Sequence, residues 1–338
     1  MTMRVAVLPG DGIGPEVMEA CLAVLDEVDT GLTFEKADVG LSSKAKHGEY
    51  LTQGALELVK SSDAALMGAI TTPKDTSGYV SPLLLMRWEL ELYANLRPAR
   101  CLLPSLCVHP LDVVIVRENT EGMYAGLERA EDGKVVLERV VSEKACKRII
   151  DFAFAYAVAN GRKKVTCVHK ANVMKVSDGM FRNLFYGEAV NHAFYNKINS
   201  DDMHVDAAAM WLAKDPSRFD TIVTLNLYGD ILSDEAAGLA GGLGFAPSGN
   251  IGERHALFEP VHGSAPDIAG KGVANPAAMI LSAAMMLKHL GMPEKARALE
   301  KAVAKALAGG NLTPDVGGTT TTRGFAEAVI GALASEYS

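Results

Sequence analysis

The chain has 338 residues, 49% of them hydrophobic and 22% charged, enough to build the cores of two domains of ordinary size. A formal net charge of -8, with no lysine- and arginine-rich block, excludes nucleic acid or an anionic membrane as the main partner, since phosphate surfaces need concentrated positive charge. Cys21, Cys101, Cys107, Cys146 and Cys167 fit no zinc spacing and read as reduced thiols, and the apolar run at residues 5–8 is too brief for an export signal, so a cytoplasmic protein is expected.

Residues 5–8 predict a strand, and Gly14-Pro15 opens a helix whose apolar face is Val17, Cys21, Val24 and Val28. Between them, Gly10-Asp11-Gly12-Ile13-Gly14 stands where a dinucleotide loop would sit, but the spacing is not G-x-G-x-x-G and predicts a tight strand-to-helix turn. Residues 33–39, 54–61 and 64–68 continue as strand, helix and strand, which sets the class as α/β. After a strand at 112–116, extended runs at 123–129 and 134–141 flank Asp132-Gly133, whose tolerance of positive φ predicts a hairpin. Ser142 caps a helix that ends at Asn160-Gly161, followed by a strand at 165–169. A strand at 221–227 then leads into a helix at 230–239, and residues 277–287, opened by Asn275-Pro276, are too few to span a bilayer and predict a buried helix. With no repeat or linker, domain boundaries must fall inside this pattern, near Arg97-Pro98 and Gly241-Gly242.

The strongest local chemistry is Asp230 and Asp234, four residues apart and so on one helix face, where like charges repel unless a cation lies between them. Hard divalent ions prefer such oxygen donors, so Mg²⁺ or Mn²⁺ is the expected occupant, with Asp206 a third candidate ligand; the same pair could instead complement the dipole of the first helical turns. Arg87 inside an apolar run, Arg97 before Pro98 and Arg117 at a strand end would together suit a substrate with two carboxylates, whereas singly each could serve as a salt-bridge residue. Lys170 also ends a strand, the position where α/β folds place function, and Tyr124 beside the hairpin reads as a packing residue unless its context says otherwise.

Taken together these segments resemble the β-decarboxylating dehydrogenases, the family of 3-isopropylmalate, isocitrate and homoisocitrate dehydrogenases. The resemblance covers nearly the whole chain. It runs through residues 8–16, Tyr93-Ala94-Asn95-Leu96-Arg97-Pro98, Arg117-Glu118-Asn119-Thr120-Glu121-Gly122-Met123-Tyr124, His169-Lys170-Ala171-Asn172, residues 228–234, residues 259–270 and Asn275-Pro276. It implies a two-domain α/β fold with a mixed sheet flanked by helices: 1–98 with 241–338 as the cofactor domain, 99–240 as the metal, substrate and dimerisation domain, and an arm near 123–141 that pairs with a second subunit. It also implies NAD held by Ile13, Thr72, Asn172, Glu259, His262, Gly263, Ala265, Asp267, Ile268 and Asn275, and a substrate gripped by Ser81, Leu83, Arg87, Arg97 and Arg117. Asp206, Asp230 and Asp234 would hold Mg²⁺ or Mn²⁺, with Lys170 and Asp206 reaching across a homodimer.

In the implied chemistry Lys170 removes the hydroxyl proton of a 2-hydroxy-3-carboxy acid, hydride passes to NAD⁺, CO₂ leaves, and Tyr124 returns a proton to the enolate. An acid at Asp267 favours NAD⁺ over NADP⁺, because a 2′-phosphate there would meet a carboxylate. Leu83 and Leu84 favour 3-isopropylmalate, while Ser81 matches isocitrate enzymes; homoisocitrate, tartrate and malate are further alternatives. A non-catalytic regulatory subunit would have lost members of the catalytic set, and here every member is present.

Overall fold

The computed structural model describes residues 2–191 and 198–334. In chain order its elements are β1 (Arg4–Gly10), α1 (Gly14–Asp26), β2 (Thr33–Lys36), α2 (Leu41–His47), α3 (Gln53–Ser61), β3 (Ala64–Ala69), α4 (Pro82–Glu89), β4 (Ala94–Arg100), β5 (Asp112–Glu118), β6 (Glu128–Glu131) and β7 (Lys134–Leu137). They continue with α5 (Glu143–Ala159), β8 (Lys164–His169), α6 (Ser177–Asn191), β9 (Asn199–His204), α7 (Val205–Lys214), β10 (Thr221–Thr224), α8 (Asn226–Leu239), β11 (Pro247–Ile251), β12 (Ala256–Pro260), α9 (Ala277–His289), α10 (Pro293–Ala308) and α11 (Thr322–Ala334). The class is α/β, with mixed sheet flanked by helices. No helix among the described residues is long and apolar enough to cross a membrane.

The chain divides into two compact units, one of Met1–Glu91, Leu102–Leu106 and Gly241–Ser338, the other of Leu92–Cys101 and Cys107–Ala240. This division gives all of β4 to the second unit, whereas the sequence pattern put the first boundary at Pro98.

In the first unit the strands run β2-β1-β3-β12-β11, parallel except for β11 against β12. Val17, Cys21 and Val24 of α1 pack with Ile280, Ala284 and Leu287 of α9, and with Leu299 and Phe325. Buried almost all round, α9 needs no polar face, which is why its sequence shows so little amphipathic contrast. Gly10 pairs with Ala69 across β1 and β3, and β12 runs parallel to β3, so the segments after these three strands leave the sheet at one end. That end is where open α/β sheets place ligands.

In the second unit the order is β4-β5-β10-β8-β9, parallel except for β4 against β5. Thr224 lies opposite both Arg117 and Val168, and His169 lies opposite His204. The carboxyl ends of β5, β10, β8 and β9 are therefore level, which carries Arg117, the start of α8, Lys170 and Asp206 to one edge. Ser142 caps α5 by accepting the Ala145 N–H at 3.1 Å.

The structure corrects the sequence expectation at several points. Cys101 and Cys107 form a disulfide, with Cα atoms 5.9 Å apart, because residues 102–106 bulge out to set Leu102, Leu103 and Leu106 on the first unit's core and then return. Only Cys21, Cys146 and Cys167 are free, so the thiol argument for a reducing compartment no longer holds. The hairpin is shorter than its β-rich sequence suggested. Gly122 and Gly126, at φ 79° and 69°, close a single helical turn over Met123–Ala125, so Tyr124 lies on that turn and not in a strand. At the tip, Asp132 and Gly133 take φ 45° and 76°, the positive values a tight two-residue turn requires. Finally β10 stops at Thr224 and α8 begins at Asn226, four residues before Asp230.

Candidate active site

The late start expected for α8 is what left the helix-dipole reading of its acidic pair open. Since no acid lies in the first turn of α8, Asp230 and Asp234 are not there to balance the helix dipole. They stand one turn apart, and Arg97 reaches between them from β4, its Nη1 lying 3.1 Å from Asp230 Oδ1, 3.3 Å from Asp234 Oδ1 and 2.8 Å from Ser233 Oγ. Arg117, 1% exposed, also donates to Asp230. Its Nε and Nη2 hold Asn226 Oδ1 at 3.0 and 2.8 Å, so the guanidinium is fixed by an uncharged acceptor on one side and a carboxylate on the other.

Two residues that the sequence pattern did not single out make this packing possible. Asn226 also donates to the Glu121 carbonyl at 2.9 Å, tying the start of α8 to the segment after β5. Gly229 lies flat on Arg117: a Cβ there would sit 2.6 Å from Arg117 Cβ and Cγ. Glu118 folds that same segment back on itself by accepting the Thr120 and Glu121 N–H groups, each at 2.9 Å. The turn that follows puts the Tyr124 hydroxyl on Asp230, with the Arg117 guanidinium 5.0 Å from the ring centre. Burial first, and then the bond to Asp230, hold the phenol above its ordinary range, so it keeps its proton at neutral pH.

Lys170 pairs with Asp206 rather than with this cluster, as the level ends of β8 and β9 dictate. Among the described residues no three acidic, histidine or cysteine side chains surround one point, so Asp206 does not join Asp230 and Asp234 within one chain. Asp234 is the least compensated of the three. Partial burial first, and then the neighbouring Asp230, raise its carboxyl above the ordinary range, against the opposing pull of Arg97 and Arg117. Hard oxygen donors one helical turn apart, with charge still to be neutralised, fit a divalent cation.

In the first unit Asp11 organises the glycine turn. Its carboxylate accepts the N–H groups of Leu41, Ser42 and Thr71 at 3.0, 3.0 and 2.9 Å, and Ile13 donates to the Ser264 carbonyl at 2.8 Å. A Cβ on Gly12 would lie 2.0 Å from that carbonyl oxygen, so only glycine lets this turn meet residues 262–268. Ile13 is buried in the core, Ile268 packs against it, and Thr72, Gly263, Ala265 and Asp267 are exposed. The Asn275 carboxamide is engaged at both ends, by Asp315 at 3.1 Å and by the Ala277 N–H at 3.0 Å. His262 has a buried Nε2 with no hydrogen-bond partner among the described residues, and burial pulls its pKa down. A neutral imidazole with one unsatisfied nitrogen, on an exposed loop at the ligand-binding end of the sheet, fits a polar cofactor.

Arg87, on α4, is 5% exposed; its Nε donates to Asn250 Oδ1 at 3.0 Å, and Glu259 lies 3.6 Å away. Glu259 is thus joined to an arginine expected on the substrate side, and Asn250, at 2.8 Å from Glu259, completes a group that sequence spacing could not reveal. Ser81 and Leu83 are half-buried on the same unit, and Asn172 is exposed on the second.

Ionisable groups gathered at the carboxyl ends of parallel strands define an α/β enzyme. Residues 4–329 match the family model of isocitrate/isopropylmalate dehydrogenases. The chain is 50% identical over 322 residues to the 3-isopropylmalate dehydrogenase of Methanothermobacter thermautotrophicus, covering 95% of each protein. It is 46% identical over 343 residues to the homoisocitrate dehydrogenase of Methanocaldococcus jannaschii, covering 97% of each. It also superposes on the crystal structure of isocitrate dehydrogenase from Methylococcus capsulatus with a TM-score of 0.93, at 41% identity, covering 98% of this chain and 99% of that one. The chain belongs to the isocitrate/isopropylmalate dehydrogenase family, and it is an oxidoreductase.

Proposed function

We propose that the protein is an NAD-linked, divalent-metal-dependent dehydrogenase that oxidises and decarboxylates 3-isopropylmalate. The observation that carries the substrate choice is on α4. Leu83 stands four residues before Arg87 and Leu84 three, so both share its helix face, and the only charged groups on α4 are Arg87 and Glu89. A distal carboxylate set against these leucines would go unpaired, at a cost of about 4 kcal/mol or roughly a thousandfold in efficiency, whereas an isopropyl group gains from the same surface. The 3-isopropylmalate relative at 50% identity supports this reading.

Arg97 and Arg117, which here share Asp230, are the cations that would meet the substrate carboxylates. Asp230 and Asp234, with Asp206 supplied by a second copy, would hold the metal, and residues 262–268 with Ile13, Thr72, Glu259 and Asn275 would hold NAD⁺. When bound, the metal polarises the C2 oxygen and NAD⁺ accepts the C2 hydride. Lys170 takes the hydroxyl proton, with Asp206 positioned to stabilise its ammonium form. The protonated phenol of Tyr124 then donates to the carbon from which CO₂ has left.

A homodimer follows from the same reading, since Lys170 and Asp206 must come from one subunit and Asp230 and Asp234 from the other. Its support is the surface of the second unit. Of the exposed large apolar side chains described, all but Leu41 and Val80 lie there, among them Leu127, Val135 and Leu137 on the hairpin and Ile231 on α8. Ser81, at the head of α4, carries the second reading, isocitrate, as a hydroxyl able to meet a γ-carboxylate. Measuring kcat/KM for both acids with NAD⁺ and Mn²⁺ separates the two. An advantage of about a thousandfold for 3-isopropylmalate is expected from the roughly 4 kcal/mol penalty on an unpaired distal carboxylate. A clear advantage for isocitrate would assign specificity to Ser81.

A further inference from the structure

The turn that presents Lys170 is held by two buried side chains that do not touch its ammonium group. β8 ends at His169, and the next two N–H groups leave the sheet. Lys170 N–H donates to Asp178 Oδ2 at 2.7 Å, and Ala171 N–H donates to His169 Nδ1 at 3.0 Å. A main-chain N–H can only donate, so Nδ1 is the acceptor nitrogen and the ring proton lies on Nε2, which faces Asp202 Oδ2 at 2.9 Å. Asp202 is steadied in turn by the Tyr186 hydroxyl at 2.6 Å.

Asp178 is the more heavily loaded of the two. Its Oδ2 also accepts the Tyr228 hydroxyl at 3.1 Å, and its Oδ1 accepts Arg139 Nη1 at 2.5 Å and Ser177 Oγ at 3.3 Å. Arg139 lies over the Tyr228 ring, 5.3 Å from its centre, so the cation cannot swing away without losing both contacts. His169 and Asp178 are both fully buried. A surface turn normally leaves its N–H groups to water. Here the acceptors are supplied from the core, each is fixed at its far end by an ionisable partner, and together they leave the backbone at Lys170 little freedom.

We propose that Asp178 and His169 are positioning residues, which lock the main chain at Lys170 and Ala171 and so aim the Lys170 amine for proton transfer. This rests on the reading of Lys170 as the proton-transfer group. Asn at position 178 would turn its carboxamide oxygen toward Arg139 and set its NH₂ against the Lys170 N–H, so the contact that matters is the one lost. Displacement of a reacting group by about 1 Å costs on the order of a hundredfold in rate.

The test is a double-mutant cycle on the holoenzyme with Mn²⁺, NAD⁺ and the hydroxy acid that the wild type turns over fastest. Asp178→Asn should lower kcat by tens to about a hundredfold, with KM for the acid changed by no more than about threefold, because no substrate contact is removed. On a Lys170→Ala background the same substitution should cost nothing further, as there is no amine left to aim. His169→Asn, whose side-chain oxygen can replace Nδ1 as acceptor for the Ala171 N–H, should retain more kcat than His169→Phe. Should Asp178→Asn fail to fold, the His169 pair and its cycle with Lys170→Ala carry the test. Losses that add in full on the Lys170→Ala background would overturn the proposal and leave the role of Lys170 intact. Near-normal turnover by Lys170→Ala itself would instead overturn the reading on which it rests.

Discussion

Exhaustive chelation is expected to lower turnover by on the order of a thousandfold or more, with recovery on adding Mn²⁺ or Mg²⁺, because the developing negative charge on the substrate oxygen then has no cation beside it. Asp230 and Asp234 can be told apart in this respect. Asp230 is the anion on which the buried Arg117 depends, so Asp230→Asn should weaken the proposed metal site and also strand a guanidinium, at roughly 3–5 kcal/mol of stability. Asp234, with its side chain 54% exposed, has no such structural duty. Asp234→Asn should therefore lose most activity at low metal concentration, regain part of it at high Mn²⁺, and melt at nearly the wild-type temperature. Asp230→Asn should both melt lower and stay inactive. Full activity after chelation would remove the metal assignment altogether.

The second large effect separates proton removal from proton return. Tyr124→Phe deletes one hydroxyl that sits on Asp230 and leaves the ring under Arg117 in place, so folding and binding should change little. Steady-state turnover should fall by about a hundredfold or more, as expected for loss of a general acid. In the proposed sequence hydride transfer precedes the lost step. A stopped-flow burst of NADH close to one per site should therefore survive in Tyr124→Phe and vanish in Lys170→Met. The reverse pattern would exchange the two roles.

The parts of this fold that could be read from sequence are those fixed by local chemistry. Ser142 caps α5 because its hydroxyl meets the nearest free N–H, and Asp132-Gly133 turns the hairpin because both positions need positive φ. The inner parallel strands β1, β3, β5, β8 and β10 showed as short apolar runs because they are buried on both faces. The remainder depends on partners distant in sequence. Asn226 looks like the end of a strand until Arg117, 109 residues earlier, is seen to need its oxygen. Gly229 is unremarkable until the Arg117 side chain is found where its Cβ would be. Spacing could not pair Cys101 with Cys107, since that pairing depends on where the leucines of 102–106 dock. Asp230, Asp234, Arg97 and Arg117 could each be picked out by residue type and local spacing, but not the sharing of Asp230 by both arginines and Tyr124. Asp178 gave no local signal, since an aspartate near the start of a helix ordinarily balances the helix dipole.

The most direct test of the proposed activity is the stoichiometry of its products. With 3-isopropylmalate, NAD⁺ and Mn²⁺, the protein should form NADH and release CO₂ in equal amounts, and Lys170→Met should form both about a thousandfold more slowly. NADH without CO₂ would make it a simple hydroxy-acid dehydrogenase. The absence of both products with 3-isopropylmalate, isocitrate, homoisocitrate and tartrate would contradict the account.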